Sequence, residues 1–437
     1  MSTGRMRNSR VLQLGILATT AVFLQLFINA MVSKSLGMLL VAMKDDLDAD
    51  TWVLGFTFAL IDGGKEVFAP LAGPLGRKFG ARPVVMVAGG MVSLGFIAGS
   101  RASSVLLLAL TLNLLMDFGQ SCTSVLSRAT LGKYFDNQMF ALASGIAQTG
   151  VPLSLLCLPP LVQLLLNAYG WRGAMLVLGS IGAHLVVSGA LLIPLPRNTG
   201  EKTMRGYQTI PETNSQHPLQ EPDKDTHRMF RALRCIFLKL EEVFDLTLMK
   251  GLDFWIIALS FVTVRVSKSA WLIYFVPNTV SKGFSGETAA VMVTVAALFQ
   301  LACVVLVSVA VFKEKVTSMG AMIVTVALMA VSFLIDPWMT SWWSVSANAA
   351  LSASTTGLAF ALAEVMVKEV FGFERMAGAF GLMSFISGII RPLGGLIPGL
   401  IYDLYGSYNL AFVILGAIDL TALVPLLFQR LYRSNRQ

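Results

Sequence analysis

Ionisable side chains standing inside long apolar runs carry the chemistry of this sequence. They are Lys34 in MVSKSLGMLL, Asp62, Lys65 and Glu66 in LIDGGKEVF, and Asp117 and Arg128 in LLMDFGQSCTSVLSRA. Further along stand Arg265 and Lys268 in TVRVSKSAW, Glu364 in LAFALAEVMVK, Arg391 in ISGIIRPLGG and Asp419 in GAIDLTAL. A charge at the middle of a bilayer costs about 2.5–3.5 kcal/mol on insertion scales, so such residues face a bundle interior and mark candidate sites. A carboxylate is held in a dry cavity by a cation, and arginine adds bidentate hydrogen bonds. Arg265 and Lys268, one turn apart on one helical face, fit that task, together with Lys34 and Arg391. Asp62, Glu66, Asp117 and Glu364 are the candidates for carrying protons or trimming charge.

Each of these residues has a plainer reading. Lys34 stands ten residues before Lys44 and can snorkel to the headgroups. Asp62, Lys65 and Glu66 share one face at i, i+3 and i+4, which serves a titrating cluster or a self-neutralised triad equally well. Arg265 can form a structural ion pair with an acid such as Asp117, and Arg128, nearer the end of its run, suits a gate. Glu364 and Arg391 can pair with each other, or with Lys34 and Asp62. Asp419 is expected to be peripheral, and Trp271, Tyr274, Phe275 and Phe385 are expected to pack against lipid rather than line a cavity.

The elements that position these residues follow from composition. The 437 residues are 55% hydrophobic and only 13% charged, with a mean hydropathy of +0.71. That is the signature of a chain solvated by lipid, where about 20 consecutive apolar residues form a spanning helix. Twelve runs qualify: 13–43, 52–75, 83–100, 104–130, 140–166, 173–195, 252–280, 287–312, 317–335, 341–369, 376–402 and 409–430. Several exceed the thickness of the hydrocarbon, so tilted or broken helices are expected. Continuous runs without alternation exclude a β-barrel, and the first run, despite Arg5, Arg7 and Arg10 ahead of it, is too long for a signal peptide.

Lys and Arg concentrate in alternate connections, including 77–82, Lys133, the loop 196–251, Lys313, Lys315, Lys368 and Arg375, whereas the other face holds Lys44, Arg101, Arg172 and Lys282. The positive-inside rule then predicts both termini in the cytoplasm, and the net charge of +8 needs no nucleic-acid partner. Residues 1–195 and 252–437 are expected to form two six-helix bundles joined by a polar cytoplasmic linker, 196–251. Within the linker, 229–250 is either a basic amphipathic helix on the membrane surface or a simple lead-in to span 7. The two halves repeat. Phe135, Ala141, Ala143, Gly145, Tyr169 and Gly170 recur as Phe371, Ala377, Ala379, Gly381, Tyr405 and Gly406, all 236 residues later. Phe79-Gly80 at the end of span 2 hints at three-helix units within each half. Halves of this kind rock around a midplane site in secondary transporters. Gly63, Gly64, Gly73, Gly145, Gly150, Gly394, Gly395 and Gly399 let helices approach closely.

The linker, the repeat and the GRKFGAR loop resemble the major facilitator superfamily, and the chain looks most like its monocarboxylate transporter (solute carrier family 16-like) branch. The residues that carry the likeness are KSLG at 34–37, Thr51-Trp52, Gly63-Gly64, RKFGAR, YF followed by A-x-x-G-x-A-x-x-G over 134–150, YGWRGA at 169–174 and YDLYGSYNLAF after span 11. The resemblance implies twelve helices in two pseudo-symmetric bundles and alternating-access transport of monocarboxylates or related carboxylated metabolites. It implies that Lys34 binds substrate and protons, and that a single-span ancillary glycoprotein accompanies the carrier to the plasma membrane. Three departures stand beside it. The acidic-Gly-aromatic start of span 1 is absent from RVLQLGILATTAVF, Asn137-Gln138-Met139 replaces a basic cluster, and the span 8 acid–arginine pair of proton-coupled members falls on Gln300 and Val304.

No enzyme signature, cofactor motif or metal spacing appears. His184, His217 and His227 are isolated, no phosphate-binding loop is present, and Cys122, Cys157, Cys235 and Cys303 suit small packing roles. The expectation is a secondary transporter of small organic solutes in which Lys34 and Arg265 neutralise a carboxylate. A proton-independent facilitator of amino acids, amines or hydrophobic metabolites, and a transport-dead receptor or scaffold, are the other readings.

Overall fold

A computed structural model describes residues 2–47, 57, 63–194 and 245–434. Asp62, most of the linker and residues 51–56 therefore lie outside the described residues, as does most of the stretch 229–250; its last five residues form a single 3-10 turn, Leu246–Lys250. The described residues are helical, without strands. Ten stretches are long and apolar enough to cross a membrane. One of them, Trp342–Tyr405, holds spans 10 and 11 with a turn at Gly372, where φ is 71°. Span 2, described from residue 63 to Phe79, completes the twelve.

Polar residues at the ends of the apolar runs start the helices. Ser104, Asp136, Ser285 and Thr317 each accept a hydrogen bond from the backbone N–H three residues on, and Ser341 forms a reciprocal capping box with Ser344. The connections after spans 2, 5, 8 and 11 turn on a residue of positive φ: Gly80 at 87°, Gly170 at 65°, Glu314 at 56° and Gly406 at 66°. The same backbone device at the same place in four successive three-helix units extends the internal repeat from sequence into geometry. At the third place a glutamate takes the left-handed conformation that glycine adopts without strain.

One polar clamp ties each bundle together on the face away from the linker. In the first half, Arg172 donates to Asp46 at 2.8 Å and to the carbonyls of Ser100 and Ala102, while Trp171 donates to the same carboxylate. In the second, Asp336 accepts from Lys282 at 2.8 Å, Asn278 at 2.7 Å and Asn348 at 3.2 Å. The two bundles meet toward the linker face. A Cβ on Gly381 of span 11 would stand 2.8 Å from the Ala69 carbonyl of span 2, and one on Gly145 of span 5 would collide with Ser308 of span 8. Gly381→Val should therefore hold spans 2 and 11 apart and cut solute flux by about tenfold or more, the equivalent of ~1.4 kcal/mol. Unchanged flux in proteoliposomes would show that this approach is not needed.

The cysteines divide by position. Cys122 is buried in the core of the first bundle, Cys303 is half-buried, and Cys157 is exposed, so a packing role holds for Cys122 and not for Cys157.

Candidate solute site between the bundles

A cavity of about 180 Å³ opens between the halves. Span 1 contributes Gln25, Asn29, Ser33 and Lys34, span 2 Lys65 and Glu66, and span 4 Gln120, Ser121 and Arg128. The second half contributes Arg265 and Lys268 from span 7, Phe360 from span 10, and Phe380, Ser384 and Arg391 from span 11. The spacing of the polar residues on span 1, close to four apart, places them on one face. Two hydrogen bonds hold that face to span 4: Asn29 donates to Thr123 at 3.2 Å and Ser33 to Gln120 at 3.0 Å.

Glu66 is the acid at the centre. Its side chain is buried and crosses the boundary between the halves, pairing through Oε1 with Arg265 and, at 3.1 Å, with Nη1 of Arg391. Both arginines share one carboxylate oxygen. Arg265 is also held between aromatic faces, 4.1 Å from the Phe261 ring centroid and 5.3 Å from that of Phe360, and Lys268 stands 4.2 Å over Phe360. Span 7 thus aims two cations into the cavity, and span 10 supplies the ring beneath them.

A second layer closes the cavity toward the linker face. Nε of Arg128 lies 2.6 Å from Glu364, whose other hydrogen bonds come from the Ser144 hydroxyl and the Gln148 amide, both at 2.6 Å. Arg128 and Glu364 are 236 residues apart, so equivalent positions of spans 4 and 10 carry opposite charges and pair across the pseudo-symmetry axis. Beyond them Lys368 donates to the carbonyls of Phe135 and Asp136. With ~1.5 Å rise per residue, the Glu364 layer sits about 10 Å from the linker end of its helix and the Glu66 layer about 20 Å.

The structure corrects several pairings expected from the sequence. Glu364 meets Arg128 rather than Arg391 or Lys34, and Arg265 meets Glu66 rather than Asp117. Glu66 leaves its own helix face for the opposite bundle, so no self-neutralised triad forms through it, and Asp62 lies outside the described residues. Asp117 lies within a π-helical turn, Leu112–Asp117, packed beside Gly64, and is not part of the cavity wall. Asp419 is not peripheral: it is fully buried and accepts from Ser267 at 2.8 Å between spans 12 and 7. Phe360 and Phe380, rather than Trp271, Tyr274, Phe275 and Phe385, supply the aromatic lining. Gln300 is turned toward Gly357 of span 10, and Val304 is buried; neither faces the cavity. A signal for the closing pair was available, since the 236-residue offset links Arg128 to Glu364 directly.

Comparison with known proteins agrees with this architecture. The chain is 25% identical over 431 residues to Monocarboxylate transporter 12 of Mus musculus, covering 97% of this chain and 87% of that protein. It is 41% identical over 162 residues to Monocarboxylate transporter 11 of Homo sapiens, covering 37% and 34%. Among solved structures, FucP in its outward conformation superposes with a TM-score of 0.68 at 13% identity, covering 95% of this chain and 99% of that one. The proton:xylose symporter XylE gives 0.67 at 14% identity, covering 95% of both. The sequence model of the Major Facilitator Superfamily matches residues 22–335, well over half of the sequence. Twelve helices in two bundles around a charged central cavity, with this match, place the protein among transporters rather than enzymes: the chain belongs to the major facilitator superfamily.

Proposed function

We propose that the protein carries small carboxylated solutes by alternating access, with residues 1–195 and 252–437 as the rocking bodies, 196–251 as their tether and the linker face in the cytoplasm. The observation that carries this reading is the set of cations, Lys34, Arg265, Lys268 and Arg391, around one solute-sized cavity at the boundary between the halves. An anionic solute entering there competes with Glu66 for Arg265 and Arg391. The curated relatives named monocarboxylate transporters support the same substrate class. Since the span 8 positions 300 and 304 present no ionisable group, Glu66 takes the place of a proton-coupling acid: once displaced from its arginines it stands alone in a dry cavity and accepts a proton there. Glu364, held by three donors, closes the linker side.

Uptake of labelled pyruvate or lactate into proteoliposomes under an imposed pH gradient tests the reading. Saturable uptake should appear and be inhibited by small carboxylates but not by their methyl esters. Equal inhibition by the esters would sink the carboxylate reading. No flux for any member of a solute panel would favour a scaffold role, and flux indifferent to the gradient would leave the carrier but remove proton coupling.

A further inference from the structure

From the charge balance of the cavity we infer a solute carrying two negative charges, a small dicarboxylate. This inference rests on the carboxylate reading above and narrows it. The wall formed by the second bundle holds three cations, Arg265, Lys268 and Arg391, and the carboxylate set among them is Glu66. Three positive charges against one negative leave a surplus of two. Glu66 is already engaged by both arginines, and Lys268 makes its contact with the Phe360 ring rather than with an acid. Around Lys268 the charged groups are cations: Lys34, Lys65, Arg265 and Arg391.

Lys34 and Lys65 line the opposite wall and have interactions of their own, so the surplus of two is counted without them. The Arg128–Glu364 pair at the cavity floor is neutral as a unit and changes nothing in the count.

Buried like charges repel across a short low-dielectric gap, and each excess cation is stabilised by an anion brought in from water. A monocarboxylate cancels one of the two. A second carboxylate cancels the other, and the two sites for it are separated along span 7 by less than one turn: Arg265, shared with Arg391, and Lys268. A cavity of about 180 Å³ suits a short chain between the two groups and not a large polyanion. The facing rings of Phe360 and Phe380 give the connecting carbons an apolar surface.

The test is competition in proteoliposomes holding the whole chain, with labelled pyruvate as the probe and two size-matched inhibitors, succinate and butyrate. Succinate should inhibit at a concentration lower by about tenfold or more. In Lys268→Met the ratio of succinate to butyrate potency should fall by about tenfold, while Lys268→Arg retains it. Equal potency of the two inhibitors in the wild type, or an unchanged ratio in Lys268→Met that still takes up pyruvate, overturns the dicarboxylate inference and leaves the carboxylate reading standing. No uptake of labelled pyruvate or labelled succinate by the wild type overturns both. Monodispersity of each variant in detergent separates loss of selectivity from loss of folding.

Discussion

Arg128→Glu should abolish flux, by at least ~100-fold or about 2.7 kcal/mol of barrier, and the exchanged pair Arg128→Glu with Glu364→Arg should recover a substantial part of it. The reason lies in how completely Glu364 is enclosed. Its two oxygens take the Arg128 guanidinium, the Ser144 hydroxyl and the Gln148 amide, and its side chain is buried. Removing one partner from such a pair typically costs about 3–5 kcal/mol because the remaining charge is stranded. Reversing it puts two carboxylates where one ion pair held spans 4 and 10 together. The bundles then separate on the linker side, and a cysteine at Ser308, which packs against Gly145 in the wild type, should become open to alkylation. The exchanged pair restores attraction, and the Ser144 hydroxyl and Gln148 amide can each turn an acceptor toward a guanidinium. Failure of the exchange in a monodisperse protein whose Ser308→Cys site is again protected would mean that Glu364 has a task in transport beyond closing this side.

That pair also shows where a single sequence stops being informative. The spans, their ends and the two-fold repeat are legible because they rest on local properties: apolar run length, a capping side chain, a residue able to take positive φ. Lys34, Glu66, Arg265, Lys268 and Arg391 were legible as cavity residues for the same local reason, a charge in an apolar run. Their pairing was not. Glu66 has Lys65 beside it and Asp62 one turn away, yet it reaches the other bundle, because helix apposition rather than spacing along one helix decides which charges meet. Asp419 looked peripheral from its place in the last span and is buried against span 7. The π-helical turn before Phe118 inserts a residue into span 4 and rotates Asp117 toward Gly64, an offset that regular helical periodicity cannot anticipate.

Glu66→Gln should produce a protein that binds its solute more tightly and turns over more slowly. The substitution keeps volume and hydrogen-bonding reach but removes the one negative charge shared by Arg265 and Arg391. Without solute, two buried guanidiniums then face each other with no counter-ion at that place, a loss on the scale of the ~3–5 kcal/mol seen when a buried pair is broken. The empty variant should therefore melt at a lower temperature than the wild type. Added carboxylate supplies the missing charge, so the solute-induced rise in Tm should be larger in the variant, as linkage requires for a ligand bound more tightly by the folded state. Transport suffers for the same reason. In the wild type Glu66 reclaims the arginines as the solute leaves; a glutamine cannot, so release slows while the apparent KM falls. Counterflow of labelled for unlabelled solute, which reorients the loaded carrier only, should survive better than net flux. If Glu66 also carries the coupled proton, the remaining flux should lose its response to a pH gradient. Arg265→Gln provides the opposite case, leaving Glu66 to Arg391 alone and losing both binding and flux. A Glu66→Gln variant with wild-type melting, wild-type KM and an intact gradient response would show that the carboxylate between the two arginines is a structural pin rather than the group displaced by the solute.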